Sequence, residues 1–284
     1  MPITLDPSVI GLVLLAALMH ASWNAIIKTS GDGLLMFVLL KMPTMMISAI
    51  VLAVVGLPHT ASVPYAIGSA AGFTAYSFLL IWAYRTGDLN FIYPVARGSA
   101  PLGVALLSGL FLGQHLSGLE LAGILIISVG IGGLAYHPRM VAERIPDLLR
   151  AASVGLCIAI YTLFDGVGAR ISGNVLGYIA MMNIFSGVPL ISVAFFKRGR
   201  ETIDFLCREW KASVVGGVMM FTAYAIVIYA MTLSPITHVA ALRETSVIFA
   251  AVIGTLILKE PLGVKRAIAA TVVASGIILM ALSR

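Results

Sequence analysis

Apolar residues dominate the chain in long unbroken runs, each cut short by a small knot of glycine, proline or capping residues. A helix rises about 1.5 Å per residue and the hydrocarbon of a bilayer is about 30 Å thick, so roughly 20 apolar residues make one crossing. The runs predict ten such spans, over 8–27, 34–56, 64–84, 90–112, 117–136, 151–170, 175–196, 211–232, 236–258 and 263–282. The breaks carry turn chemistry: Ser30-Gly31-Asp32-Gly33, Gly56-Leu57-Pro58, Thr86-Gly87-Asp88, Leu233-Ser234-Pro235 and Lys259-Glu260-Pro261. The longest polar stretches, His137–Arg150 and Lys197–Lys211, read as connectors. The expected fold class is an all-α membrane protein of ten transmembrane helices.

Composition agrees. Of 284 residues, 60% are hydrophobic in type and 11% charged, where a soluble domain carries about 25% charge. No stretch between the spans is long enough for a soluble catalytic domain. The opening residues lack a basic region, so the first span is expected to be retained and not cleaved. Cys157 and Cys207 form neither a disulfide framework nor a metal site.

The net charge of +6 does not point to nucleic acid, because of where it sits. Of the 18 Lys and Arg residues, Lys41, Arg97 and Arg243 fall inside spans, and only Arg170 and Arg284 lie with the even loops and the termini. All the others lie on the odd loops. Basic loops stay in the cytoplasm, which predicts cytoplasmic odd loops and external termini.

A shift of 146 residues lays Arg97 on Arg243, and with it Ala105 on Ala251, Leu112 on Leu258 and Gly130 on Gly276. Matches of Leu, Ala and Gly are cheap in apolar sequence. An arginine on an arginine is informative, because an intramembrane arginine is costly and rare. Two repeats result, 1–138 and 139–284. Five spans is an odd number, so the second repeat is expected to insert inverted relative to the first. Many secondary transporters are built this way, with a substrate site near the midplane between the halves.

Certain residues also resemble a known family. They are Trp23-Asn24 with Lys28, Tyr93-Pro94-Val95-Ala96-Arg97-Gly98, Tyr161-Thr162 with Asp165-Gly166, Ala240 to Ser246, and Leu258-Lys259-Glu260-Pro261. The pattern resembles the drug/metabolite transporter superfamily, EamA type, with two five-helix repeats. Gly113-Gln114 departs from it where many relatives carry Gly-Glu. The resemblance also implies cytoplasmic termini, the reverse of what the charge count predicts.

Helix rise places Arg97 and Lys41 roughly 10 Å from the odd-loop face, with His20 and Asn24 in the same half. Arg243, Glu244, Asp165 and Asn183 lie at similar depth from the other face. Two polar layers are expected, one basic and one net acidic. Charged groups at this depth should face a wet cavity or each other. Arg97 either recognises an anionic group or locks the halves by pairing with Asp165 or Glu244. Lys41 either serves the site or snorkels to the odd-loop face. Trp23, Tyr76, Tyr93, Tyr161, Tyr224 and Tyr229 stand at the same levels, as cavity lining, core or interface anchors. His238 reads as a polar cap sooner than a proton relay.

Candidate substrate-binding residues are therefore Arg97, Arg243, Trp23, Asn24, Lys41, Tyr93, Tyr161 and Asn183. Asp165 and Glu244 are candidates for proton coupling, or else permanent ion pairs. Arg97 suits a carboxylate because its guanidinium offers a planar fork of donors. The expected function is secondary active transport of a small zwitterionic or anionic metabolite, an amino acid or relative, in a bacterial inner membrane. No cofactor is implied. An intramembrane enzyme, a channel and a receptor are the alternatives. No phosphate-binding GxxxxGK[ST] loop, HExxH zinc motif or GxSxG elbow occurs. Monomer and homodimer both stay open.

Overall fold

The computed structural model describes residues 6–86, 89–135, 145–260 and 263–282. Its helices are α1 (Pro7–Thr29), α2 (Gly33–Leu39), α3 (Lys41–Val55), α4 (Val63–Thr86), α5 (Leu89–Leu112), α6 (Gly118–Gly132), α7 (Ile145–Ile171), α8 (Val175–Arg198), α9 (Arg200–Leu233), α10 (Ile236–Arg243), α11 (Ser246–Leu256) and α12 (Val264–Leu282). There is no strand among the described residues. Among the described residues, ten stretches are long and apolar enough to cross a membrane, with α2–α3 and α10–α11 each counting as one. The Gly87-Asp88 turn, Pro261, Leu262, Arg284 and the His137–Arg144 part of the first connector lie outside the described residues.

Three predicted elements differ from the structure. The second span is broken at Leu40. Pro43 has no N–H to give the carbonyl of Leu39, four residues back. The Ser213 hydroxyl on α9 donates to that carbonyl instead, at 3.0 Å. The ninth span is broken at Glu244-Thr245, where Glu244 N–H and Thr245 N–H turn back to the carbonyls of Ala241 and Leu242. The second connector is no loop. Helix α8 runs to Arg198, Gly199 alone links it to α9 with φ +42°, and α9 bends at Glu209. A positive φ is a conformation glycine adopts without a Cβ clash. Gly113 plays a similar part, ending α5 at φ +61°.

The helices pack chiefly across the two sequence halves. Helix α4 lies on α7, α5 on α7, α1 on α9, α3 on α8 and α6 on α12. Helices α6 and α12 approach at small residues. A Cβ on Gly276 would sit 2.8 Å from the Gly123 carbonyl oxygen, and a Cβ on Gly123 equally close to that of Gly276. Without a hydrophobic drive between helices in lipid, such backbone proximity supplies the dispersion contact that holds them. Gly68 and Gly72 similarly admit Phe164 and Tyr161 of α7 against α4.

Candidate functional site

The interior of the bundle is hollow from one end. A cavity of about 1210 Å³ opens among Lys28, Asp32, Glu260 and Arg266, which lie at the odd-loop end. It descends past Asn24, Trp23 and His20 of α1, Phe37 of α2, Tyr76 of α4, Tyr93 and Arg97 of α5 and Ser246 of α11. Below it a pocket of about 50 Å³ is lined by Lys41, Phe73, Tyr161, Asn183, Tyr224 and Arg243. His20, Trp23, Phe37, Tyr76 and Arg97 line both.

The two broken spans deliver the charges. Lys41 opens α3 just after the first break, and Arg243 and Glu244 flank the second. Arg97 NH2 lies 2.9 Å from Glu244 Oε2 and donates to Ser246 Oγ at 3.1 Å. The Arg97–Glu244 contact is an ion pair whose angles fall outside those of a hydrogen bond, and charge is what holds it. Arg243 is buried, its Nε 3.8 Å from Glu244 Oε1 and without an acceptor among the described residues. Lys41 Nζ lies 3.5 Å from both Asn183 Oδ1 and Ser186 Oγ, and 3.9 Å from the centre of the Phe73 ring. It does not snorkel, being 3% exposed. Asp165 accepts from the hydroxyls of Tyr178, at 3.2 Å, and Tyr224.

The expected pair of layers is therefore one cluster. Arginine and lysine side chains are long enough to cross the gap between two layers of α-carbons. Trp23, Lys41, Arg97, Tyr161, Asn183 and Arg243 meet at the inner pocket, and Asn24 and Tyr93 line the wider cavity. Asp165 and Glu244 stand behind the lining, each held by partners. Tyr229 is 48% exposed and lines neither space. Phe73, Phe37 and Tyr178 carried no sequence signal, since an aromatic residue in an apolar run reads as packing. Phe73, Tyr76, Tyr161 and Tyr224 form an aromatic wall with ring centres 5.6–6.5 Å apart.

The rim of the cavity carries two ties. Glu260 takes Lys28 Nζ at 2.5 Å and Arg266 NH1 at 2.8 Å. Asp32 caps α2 and pairs with Arg198. Burial pushes the Asp32 carboxyl up, but hydrogen bonds from the Leu35 N–H and Arg198 outweigh it and leave it below its ordinary value. Hydrogen bonds from Lys28 and Arg266 hold Glu260 below its ordinary 4.5. A carboxylate held low keeps its tie as pH falls to the ordinary value and loses it only as pH falls through the lowered one. Titration of Glu260 by carbon NMR, with Glu260→Gln as the reference, should therefore show a midpoint below 4.5. A midpoint at or above that value would contradict the triad.

The opposite end is shut. There the first half meets the second through His59 N–H to Ser172 O at 2.8 Å, Asn174 Nδ2 to Val55 O at 2.8 Å, and Gln114 Nε2 to Thr237 Oγ1 at 2.7 Å. His238 Nε2 lies 2.7 Å from Glu120 Oε1. Arg170 gives its guanidinium to the carbonyls of Met231 and Ser234 at the end of α9.

Ten apolar spans around an open cavity define a multi-pass membrane protein. Residues 147–282, most of the second sequence half, match the EamA-like transporter family, and the match supports an EamA-type relationship to the drug/metabolite transporter superfamily. That family comprises membrane transporters of small molecules and not enzymes. The fold is similar to that in a crystal structure of a protein of 16% sequence identity, with a TM-score of 0.74 over 97% of this chain and 96% of that one. At that identity the likeness speaks for the fold alone. No curated protein matches the chain significantly.

Proposed function

We propose that the chain is a secondary active transporter of a small organic anion or zwitterion, an amino acid or related carboxylate, working by alternating access at the central cavity. The observation that carries the reading is the charge inventory of the inner cluster. Among the described residues, Lys41, Arg97 and Arg243 are buried together with two carboxylates, Asp165 and Glu244. One positive charge is left over where a substrate would sit, and buried charges need partners. A carboxylate supplies the missing one, and the aromatic wall suits an apolar part of the same molecule. The second element is the asymmetry of the hollow, open at the odd-loop end and tied shut at the other. Thermal shift across amino acids, organic acids, phosphonates and nucleosides identifies ligands, since a ligand stabilises the state it binds. Counterflow in proteoliposomes then tests the mechanism: a carrier exchanges and saturates, whereas flux without counterflow would refute alternating access.

The repeats 1–138 and 139–284 act in this reading as inverted halves. The helix pairing supports it: α4 on α7 in one half-to-half contact corresponds to α9 on α1 in the other, and α3 on α8 and α6 on α12 pair equivalent helices. In a bacterial inner membrane the odd loops face the cytoplasm, so the cavity is open inward. A C-terminal phosphatase fusion should be active, and a C-terminal fluorescent fusion dark. The opposite pattern would reverse the assignment and make the cavity outward-open.

Asp165 is the proton-coupling candidate in this reading. It is held by two tyrosine hydroxyls and not by an arginine within ion-pair distance, so it can change protonation without breaking a salt bridge. Asp165→Asn should abolish accumulation driven by a pH gradient while sparing substrate exchange. Wild-type flux indifferent to the gradient would remove proton coupling.

A further inference from the structure

Among the described residues, three cations line the inner pocket, Lys41, Arg97 and Arg243, and no carboxylate does. Asp165 and Glu244 stand behind the lining, 1% and 0% exposed. The wider cavity meets Asp32 and Glu260 only at its mouth, where Arg198 ties the first and Lys28 and Arg266 tie the second. The other polar groups of the inner pocket bring no negative charge. Asn183 and the tyrosine hydroxyls are neutral, and His20 is neutral or positive.

An ammonium group can also rest on an aromatic face. That place is taken by the chain itself. Lys41 Nζ stands 3.9 Å from the centre of the Phe73 ring, with Asn183 Oδ1 and Ser186 Oγ each 3.5 Å away. Lys41 is buried, and these partners are all neutral. The other rings of the wall, Tyr76, Tyr161 and Tyr224, have their centres 5.6, 5.7 and 6.5 Å from that of Phe73. A second cation on any of them would stand close to the charge of Lys41.

Size adds a second restriction. At about 50 Å³ the inner pocket holds about three or four water-sized groups. A carboxylate and the carbon that bears it fill that space, and the head of an α-amino acid brings an ammonium as well. The rest of the molecule has room. Trp23, Phe37 and Tyr76 line both spaces and lead from the inner pocket into the cavity of about 1210 Å³.

We infer that the site selects monocarboxylates with an apolar tail and no ammonium beside the carboxylate, and that Lys41 is the residue that turns α-amino acids away. This selectivity rests on the anion site proposed above and divides its two candidate classes. A monoanion cancels the one positive charge left over in the cluster, whereas a zwitterion carries its own opposing charge in with it. A second carboxylate would lie against Trp23, Phe37 and Tyr76. Like charges a few ångströms apart in a pocket shielded from water repel more strongly than in bulk solvent, and a discrimination of about 10- to 100-fold against the ammonium is expected.

The test is thermal-shift titration of the purified protein at neutral pH with ligands matched in carbon skeleton. The probes are 3-phenylpropionate, 3-phenyllactate, phenylalanine and 2-phenylethylamine, with 4-methylpentanoate and leucine as an aliphatic pair. Phenyllactate replaces the ammonium of phenylalanine by a hydroxyl of similar size, so it separates charge from bulk. Wild type should reach half-maximal stabilisation with phenylpropionate, and next with phenyllactate, at concentrations about 10- to 100-fold below those phenylalanine needs. The aliphatic pair should follow the same order. Lys41→Gln keeps a donor for Asn183 and Ser186 without the charge, and should narrow the gap about tenfold as phenylalanine gains relative to phenylpropionate. A merely structural lysine would weaken both ligands equally, and that result would overturn the role of Lys41. The wild-type comparison stands without the variant. Amino acids that bind as tightly as their deaminated partners overturn the selectivity and leave the anion-or-zwitterion site standing. Binding of 2-phenylethylamine alone, or of no carboxylate in the set, overturns that site and the selectivity with it.

Discussion

Glu244→Ala is expected to cost the folded protein about 3–5 kcal/mol, the usual penalty for stranding one member of a buried ion pair. Glu244 is fully buried, and its Oε2 lies 2.9 Å from Arg97, itself 6% exposed. Its Oε1 is also the nearest carboxylate oxygen to Arg243, at 3.8 Å. Removing it leaves two guanidinium groups in the bundle interior with no counter-charge in contact. The loss should appear as a large fall in thermal midpoint and in folded yield from detergent. Arg97→Met combined with Glu244→Leu removes both charges of the pair and should recover most of that loss, since the penalty lies in the uncompensated charge. A double variant as unstable as Glu244→Ala would show that shape at this site matters more than charge.

The second large effect falls on recognition. Arg243→Lys should weaken binding of a carboxylate ligand roughly 10- to 100-fold, the equivalent of one or two charge-assisted hydrogen bonds. Both arginines are candidates by sequence, and the structure separates them. Arg97 is occupied by Glu244 and Ser246, whereas Arg243 lines the inner pocket with an Nε that has no acceptor. Lysine keeps the positive charge and loses the fork. Stability should change little, because Arg243 makes no short contact to lose. Thermal-shift titration with the best carboxylate of the panel measures the effect. Unchanged affinity for Arg243→Lys alongside a large loss for Arg97→Lys would return the anion to Arg97.

Much of this was legible from the chain because lipid is an unforgiving solvent. A span must satisfy its backbone internally and expose carbon to the hydrocarbon, so length and hydropathy alone locate ten helices. Intramembrane charges stand out for the same reason, and Lys41, Asn183, Arg97 and Arg243 do converge on one pocket. Three things were not legible. Pro43 marks the break at Leu40 only once Ser213, from a distant helix, is seen to take up the freed carbonyl. The partner of Arg97 could not be chosen between Asp165 and Glu244, because rotation of one helix against another leaves no periodic trace. Phe73 and Tyr178 became parts of the site through what they touch, Lys41 and Asp165, and a contact across 32 or 13 positions has no local signature.

Helix α9 has a consequence for how the protein sits in its bilayer. Its 34 residues reach about 51 Å at 1.5 Å each, far more than hydrocarbon needs. The bend at Glu209 divides it, and Trp210, 53% exposed between Arg208 and Lys211, stands at the division. Exposed tryptophan beside basic residues settles at the headgroup level. From there to Leu233 the helix covers about 35 Å, a fair match to the membrane, while the turns before the bend fold over α2 through Phe205. The extra length is thus parked in the interface and does not have to be accommodated by tilt. A thinner or thicker membrane would be met by sliding this arm through the headgroups, and the buried cluster would keep its depth.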